Sequence, residues 1–146
     1  MASFSHSVEV ARSPDEVFPW LLEEDRVPRW TGQLESYRHL DGGPVRAGSR
    51  LLQVLDIAGS RFEVELEVTR YEPPRAAESR FTTNGVEIVN VYTLEAVGTG
   101  ARLTQSMDAQ PKSFGARMVI PVVRGRLERK LTDDLERLRA LLEAPE

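Results

Sequence analysis

The sequence contains no cysteine. That excludes a disulfide framework, a thiolate nucleophile and any thiolate metal site, and it points to a reducing, cytoplasmic setting. Histidine is nearly as scarce, with two in the chain, so a metal centre would need carboxylates drawn from scattered strands. Neither a metal nor a cofactor is expected. The longest apolar run, MVIPVV at 118–123, is far too short to cross a bilayer. The opening MASFSHSVEV lacks a basic flank and an apolar stretch, so it does not read as a signal peptide. A net charge of −4 argues against non-specific binding to nucleic acid or to an anionic membrane. Nucleophile-elbow, zinc-protease, phosphate-loop and dinucleotide motifs are all missing. The acidic runs LLEED (21–25) and TDD (132–134) read as solvated helix faces, and no carboxylate pair suggests glycosidase chemistry.

What is present is a chain of 146 residues with 40% hydrophobic content, enough for one domain with a proper core. In SRFEVELEVTRYEPPR (60–75), Phe62, Val64, Leu66 and Val68 alternate with Glu63, Glu65 and Glu67. Such alternation marks a strand with one face in water and one buried. The first strand, SFSHSVEV, places Phe4, His6, Val8 and Val10 on one face. Then comes a helix-start signal: Ser13 as cap, Pro14 in the first turn and Glu16 three residues after the cap, with Val17, Leu21 and Phe18 turned inward. A second short helix or turn holds RVPRW and is stopped by Gly32.

From Gln33 to Gln110 strands follow one another, separated by turn signals at 40–48, 58–60, 72–75, 83–85 and 98–100. Asn84-Gly85 is the strongest hairpin signal among them. Short turns join antiparallel neighbours, which predicts a meander of about six strands with the first strand added at one edge. The tail changes period: Val123, Leu127, Leu131, Leu135, Leu138 and Leu142 recur at helical spacing. Pro121 should start or kink this long helix. One helix is narrower than a curved sheet of about seven strands, so a gap remains between them unless large side chains fill it.

VEVARSPDEVFPWLLEEDRVPRW (8–30), EPPR (72–75), GTGARLT (98–104) and LTDDLERLRALLE (131–143) together resemble the START-like (SRPBCC) superfamily. The polyketide cyclase/dehydrase-like branch is the most similar. The resemblance spans nearly the whole chain and implies an α+β helix-grip fold over residues 1–146: a curved antiparallel sheet around a long C-terminal helix, with two short helices after the first strand. It implies little about individual functional residues.

Several polar residues share parity with apolar neighbours on the inward face: His6, Ser79, Asn90, Tyr92 and Gln105, the last lying between Leu103 and Met107. Buried, they must bond one another or face a cavity and its ligand. Trp30 either plugs the mouth of the sheet or touches a ligand, and the stretch carrying Met118 (FGARMVIPVV) either caps the core or forms a lid. Arg38 shares parity with Leu34 and Leu40, as a cavity cation or an edge residue; His39 falls on the opposite face and reads as solvated. Three functions follow as expectations. The first is binding of a hydrophobic small molecule (a lipid, quinone or polyketide-like compound) by Trp30, Ser79, Asn90, Tyr92, Gln105, Met107 and Met118. The second is a cofactor-independent polyketide aromatase/cyclase, with His6 as acid/base and Asn90 and Tyr92 as carbonyl hydrogen-bond donors. The third is a protein-interaction module, a monomer or homodimer.

Overall fold

The computed structural model describes residues 2–57, 59–83 and 85–143. Ala58, Asn84 and the side chain of Val123, each used in reading the sequence, lie outside this description. The chain opens with strand β1 (Ala2–Val10), helix α1 (Pro14–Val17) and two 3₁₀ turns, Phe18–Trp20 and Val27–Arg29. Strands β2 (Leu34–His39), β3 (Arg50–Ile57), β4 (Ser60–Glu72), β5 (Ala76–Thr83), β6 (Val86–Val97) and β7 (Gly100–Pro111) follow, and helix α2 (Phe114–Glu143) completes the fold.

The expected capping box is formed. The Ser13 hydroxyl accepts from the Glu16 N–H, and the Glu16 carboxylate accepts from the Ser13 N–H. Val17, Phe18 and Leu21 are buried, in line with their spacing. The seven strands form one antiparallel sheet in the order β1-β7-β6-β5-β4-β3-β2, the predicted meander with β1 added beside β7. At the β6–β7 turn Gly98 has φ 59°, the left-handed region that glycine occupies without steric cost. Nearby, a Cβ on Gly100 would fall 2.2 Å from the Val10 carbonyl oxygen, so the close pairing of β7 with the end of β1 requires glycine there.

Two bulges change which residues face inward. Between β2 and β3 the register shifts between Leu34 and Ser36, so simple alternation fails after Leu34. Tyr37 is therefore buried and Arg38 exposed, placing Arg38 at the edge and outside the cavity. His39 is not free in solvent. Its Nδ1 lies 2.9 Å from the Gly43 carbonyl, and its Nε2 is buried without a partner among the described residues. A second shift between Val68 and Arg70 packs Tyr71 against the core, where its ring meets Phe18 edge-on at 5.3 Å.

Helix α2 buries Leu131, Leu135, Leu138 and Leu142 on one stripe, with Leu127 partly buried. Pro121 neither starts the helix nor ends it; the helix begins at Phe114 and runs through it. Having no N–H, Pro121 leaves the Arg117 carbonyl without its intrahelical donor. The helix lies along β1 and β7, and between it and the remaining strands the sheet stays uncovered. No helix among the described residues is long and apolar enough to cross a membrane.

Candidate functional site

A cavity of ≈ 770 Å³ separates the inner face of the sheet from α2. Its location follows from the mismatch of widths: one helix covers the β1–β7 side, and the concave face of β3–β6 is left lined but unfilled. Apolar walls dominate, with Leu21, Val64, Leu66, Phe81, Ile88 and Leu127 among them.

The strand register gathers the predicted polar residues into two adjacent rows. Ser79 pairs with Asn90, and Asn90 with Met107. In the neighbouring row Tyr92 pairs with Gln105. All five residues line the cavity, as does Trp30, whose indole N–H donates to the Trp20 carbonyl over 2.8 Å. Gln105 Nε2 donates to Asn90 Oδ1 at 2.7 Å and to the Tyr92 hydroxyl oxygen at 3.3 Å. Gln105 is 5% exposed, and its Oε1 has no partner among the described residues. A half-turn of the terminal amide would exchange nitrogen and oxygen and convert this free arm from acceptor to donor. In either orientation one arm of this buried amide is left without a partner among the described residues.

The tyrosines are held neutral. Burial raises the Tyr92 hydroxyl far above the ordinary phenol range, and the Asp134 charge adds to that; its hydrogen bond with Asn90 opposes it. Tyr37, hidden from the sequence because the β2 bulge cannot be read from alternation, also lines the cavity and donates to the Leu22 carbonyl over 2.9 Å. Burial again raises its hydroxyl well above the usual value. Both phenols therefore keep their protons and act as hydrogen-bond donors rather than bases.

Two predicted site residues fall elsewhere. His6 shares the inner face and pairs with Gln105 in register, yet it is absent from the cavity wall. Its strand lies directly beneath α2, and its Nε2 sits 3.0 Å from Glu136 Oε2 on that helix. Hydrogen bonds from His6 and Arg139 hold the Glu136 carboxyl below its usual range. Met118 is 67% exposed. Because α2 already includes Ala116 and Ile120 on its inner side, position 118 falls half a turn away, facing outward. It belongs to neither a lid nor the lining.

Asp134, which the sequence places on a solvated acidic face, is instead buried. Its Oδ1 accepts from the Gly32 N–H at 2.9 Å and from Arg137 at 3.1 Å, and its Oδ2 accepts from Lys130 at 2.6 Å. Lys130 and Arg137 also donate to the carbonyls of Gly32 and Trp30, at 3.1 and 3.0 Å. This network ties the segment after the second 3₁₀ turn to α2 and fixes Trp30 at the cavity. The spacing of Lys130, Asp134 and Arg137 is visible on the helix; the distant partner, Gly32, is not.

Several solved structures share this architecture. Ara h 8.0201 superimposes with a TM-score of 0.77 at 12% identity, over 97% of this chain and 97% of that one. TTHA0849 from Thermus thermophilus gives 0.79 at 10% identity, again over 97% of each chain. StfQ, a di-domain ARO/CYC of the steffimycin biosynthetic pathway, gives 0.79 at 14% identity, over 97% of this chain and 50% of the larger protein. At these identities the likeness is one of fold. No curated protein matches the chain in sequence. The family profile described as "Polyketide cyclase / dehydrase and lipid transport" matches residues 1–143, the whole span of the sheet and its gripping helix. The chain belongs to that polyketide cyclase/dehydrase and lipid transport family.

Proposed function

We propose that this protein binds an apolar small molecule, of the lipid, quinone or polyketide class, between its sheet and α2. One observation carries the reading: a ≈ 770 Å³, mostly apolar cavity lies between the sheet and α2 with Asn90, Tyr92 and Gln105 in its wall. Small-molecule sites are typically cavities of about 300–1,000 Å³ with a few placed polar groups. A carbonyl or hydroxyl on the ligand would meet Gln105 and the Tyr92 O–H, while its hydrocarbon or ring body would lie against the apolar walls. The family description, which joins polyketide cyclisation with lipid transport, is consistent with such a ligand.

A cyclase reading draws on Tyr92. Its proton, retained through burial, could polarise a carbonyl and orient a ketide chain. General-base chemistry has less support, because His6 is engaged with Glu136 and Asp134 is occupied by Lys130 and Arg137. Native mass spectrometry of freshly purified protein tests binding directly. The expected result is a retained apolar compound, or uptake of an added lipid, quinone or aromatic polyketide by stripped protein. Failure to take up any of the three classes would overturn the binding reading. Ring formation from a poly-β-ketone mimic, lost in Tyr92→Phe, would establish the cyclase.

A further inference from the structure

Every charged residue lining the cavity, among the described residues, comes from one helix. Strands β1–β7 and the 21–37 segment supply apolar or neutral side chains throughout, whereas α2 supplies Arg124, Arg126, Arg129, Lys130 and Arg137 against Asp133 and Asp134. Five cations face two carboxylates, a local surplus of three positive charges on a protein whose net charge is −4. The acids that outweigh them are elsewhere, including Glu63, Glu65 and Glu67 on the exposed face of β4.

Internal pairing consumes only part of that surplus. Asp134 alone is shared by Lys130 and Arg137. Arg124 pairs with Glu128 at 3.5 Å. Arg126 and Arg129 make no hydrogen bond or ion pair with any described residue. Both are exposed at the outer rim of the cavity; Arg129, two positions from inward-facing Leu127 and Leu131, leaves the helix on its outer side, so only its long side chain reaches the rim. Like charges crowded along one helix repel one another and are destabilising unless an anion offsets them. Glu128 and Asp133 on the same helix offset part of that charge, and no described carboxylate on the facing sheet wall adds to them.

We propose that the bound molecule is an amphiphilic organic anion. Its carboxylate, sulfonate or phosphate would sit against Arg126 and Arg129 on α2, its apolar body would fill the cavity, and its inner polar group would reach Gln105. The proposal rests on the cavity reading above and adds the ligand's charge and orientation. Neutral lipids and neutral quinones then become the weaker-binding members of the class.

Two dyes that share an aromatic body separate the claims: anilinonaphthalene sulfonate carries a negative charge, and N-phenyl-naphthylamine does not. Each is titrated by its own fluorescence into stripped protein at low and high salt. The expected result is that wild type prefers the sulfonate by roughly tenfold at low salt, the preference shrinking as salt screens the exposed cations. In the Arg126→Gln/Arg129→Gln double variant the preference should collapse while affinity for the neutral dye is unchanged. Equal affinity of wild type for both dyes, or a double variant that weakens both alike, would overturn the anion proposal and leave the cavity reading standing. Sulfonate binding that survives Ser79→Trp while neutral-dye binding is lost would place the anion on the outer surface and also overturn the proposal. Failure of both dyes to bind wild type would remove the cavity reading, and the proposal with it. The salt dependence in wild type provides a test that does not depend on how the double variant folds.

Discussion

Gln105 on β7 donates from Nε2 to Asn90 Oδ1 on β6 at 2.7 Å, and this bond turns Gln105 Oε1 into a buried site with no partner of its own. Buried polar atoms are normally satisfied, and leaving one unmet costs about 1–3 kcal/mol. A molecule that shifted the Gln105 amide and supplied the missing bond would remove that cost, which would set fold stability against ligand recognition at this one side chain.

Gln105→Leu tests that opposition. The substitution removes the orphaned oxygen but also the donor to Asn90, so the two effects offset and stability should shift by less than about 1 kcal/mol. Affinity for a ligand bearing a carbonyl or hydroxyl should fall about tenfold, the equivalent of one net hydrogen bond. Affinity for a plain hydrocarbon should hold. Thermal melts beside paired titrations read both quantities. A large loss of stability with unchanged ligand preference would assign Gln105 a structural role only.

The buried tyrosines predict alkaline behaviour. Tyr37 and Tyr92 both have hydroxyls raised above the phenol value by burial, so the folded state holds their protons after the unfolded chain has released them. Stability is therefore fully present below about pH 10 and lost above it, by about 1.4 kcal/mol per pH unit for each tyrosine until its folded value is reached. Denaturant titrations from about pH 9 to about pH 12 should show this slope, and Tyr92→Phe should remove roughly one tyrosine's share of it. An unchanged slope in Tyr92→Phe would mean that its phenol is solvated in the folded protein.

The face of β4 and the leucine stripe of α2 support a sharper contrast. Leu131 and Leu135 are buried in the common core, and Glu65 points to water. Leu135→Asp should unfold the protein, because an unpaired buried charge costs several kcal/mol, comparable with the total stability of a domain. Glu65→Lys should change stability by no more than about 0.5 kcal/mol. Circular dichroism melts of the two variants decide it. A Leu135→Asp protein that melts near wild type would be incompatible with α2 packed on the sheet.

What the sequence discloses follows the range of the forces involved. The Ser13–Glu16 capping box and the alternation of β4 are set by neighbours within a few residues, and both are found as read. The cavity polar groups are legible because parity is preserved along β5, β6 and β7, which pair with one another without a bulge. Parity fails in β2, where an unpaired residue brings Tyr37 inward and leaves Arg38 outside. It fails to locate His6 for a different reason: the inner face of β1 is correct, but α2 covers it and supplies Glu136. Asp134 shows the limit most clearly. Its helical partners lie within one turn, whereas burial comes from Gly32, 102 positions away in sequence.

Ser79 is the position at which cavity and core can be told apart. It is 3% exposed, lies opposite Val68 on β4 and Asn90 on β6, and faces the cavity with the smallest polar side chain on that wall. In a close-packed interior, replacing serine by tryptophan would force neighbours off their rotamers at a cost of about 1–3 kcal/mol or more. Beside an unfilled ≈ 770 Å³ space, the indole instead occupies room that a ligand would take. Ser79→Trp should therefore fold with a melting temperature near wild type and lose at least about tenfold in affinity for a neutral aromatic dye, while Ser79→Phe should lose less. Dye fluorescence is the proper readout, since the new indole would confound emission from Trp20 and Trp30. A Ser79→Trp protein that folds normally and binds the dye as tightly as wild type would place the ligand away from β5. One that fails to fold would show the inner face of β5 to be packed core, and the space beside it too small for the proposed ligand.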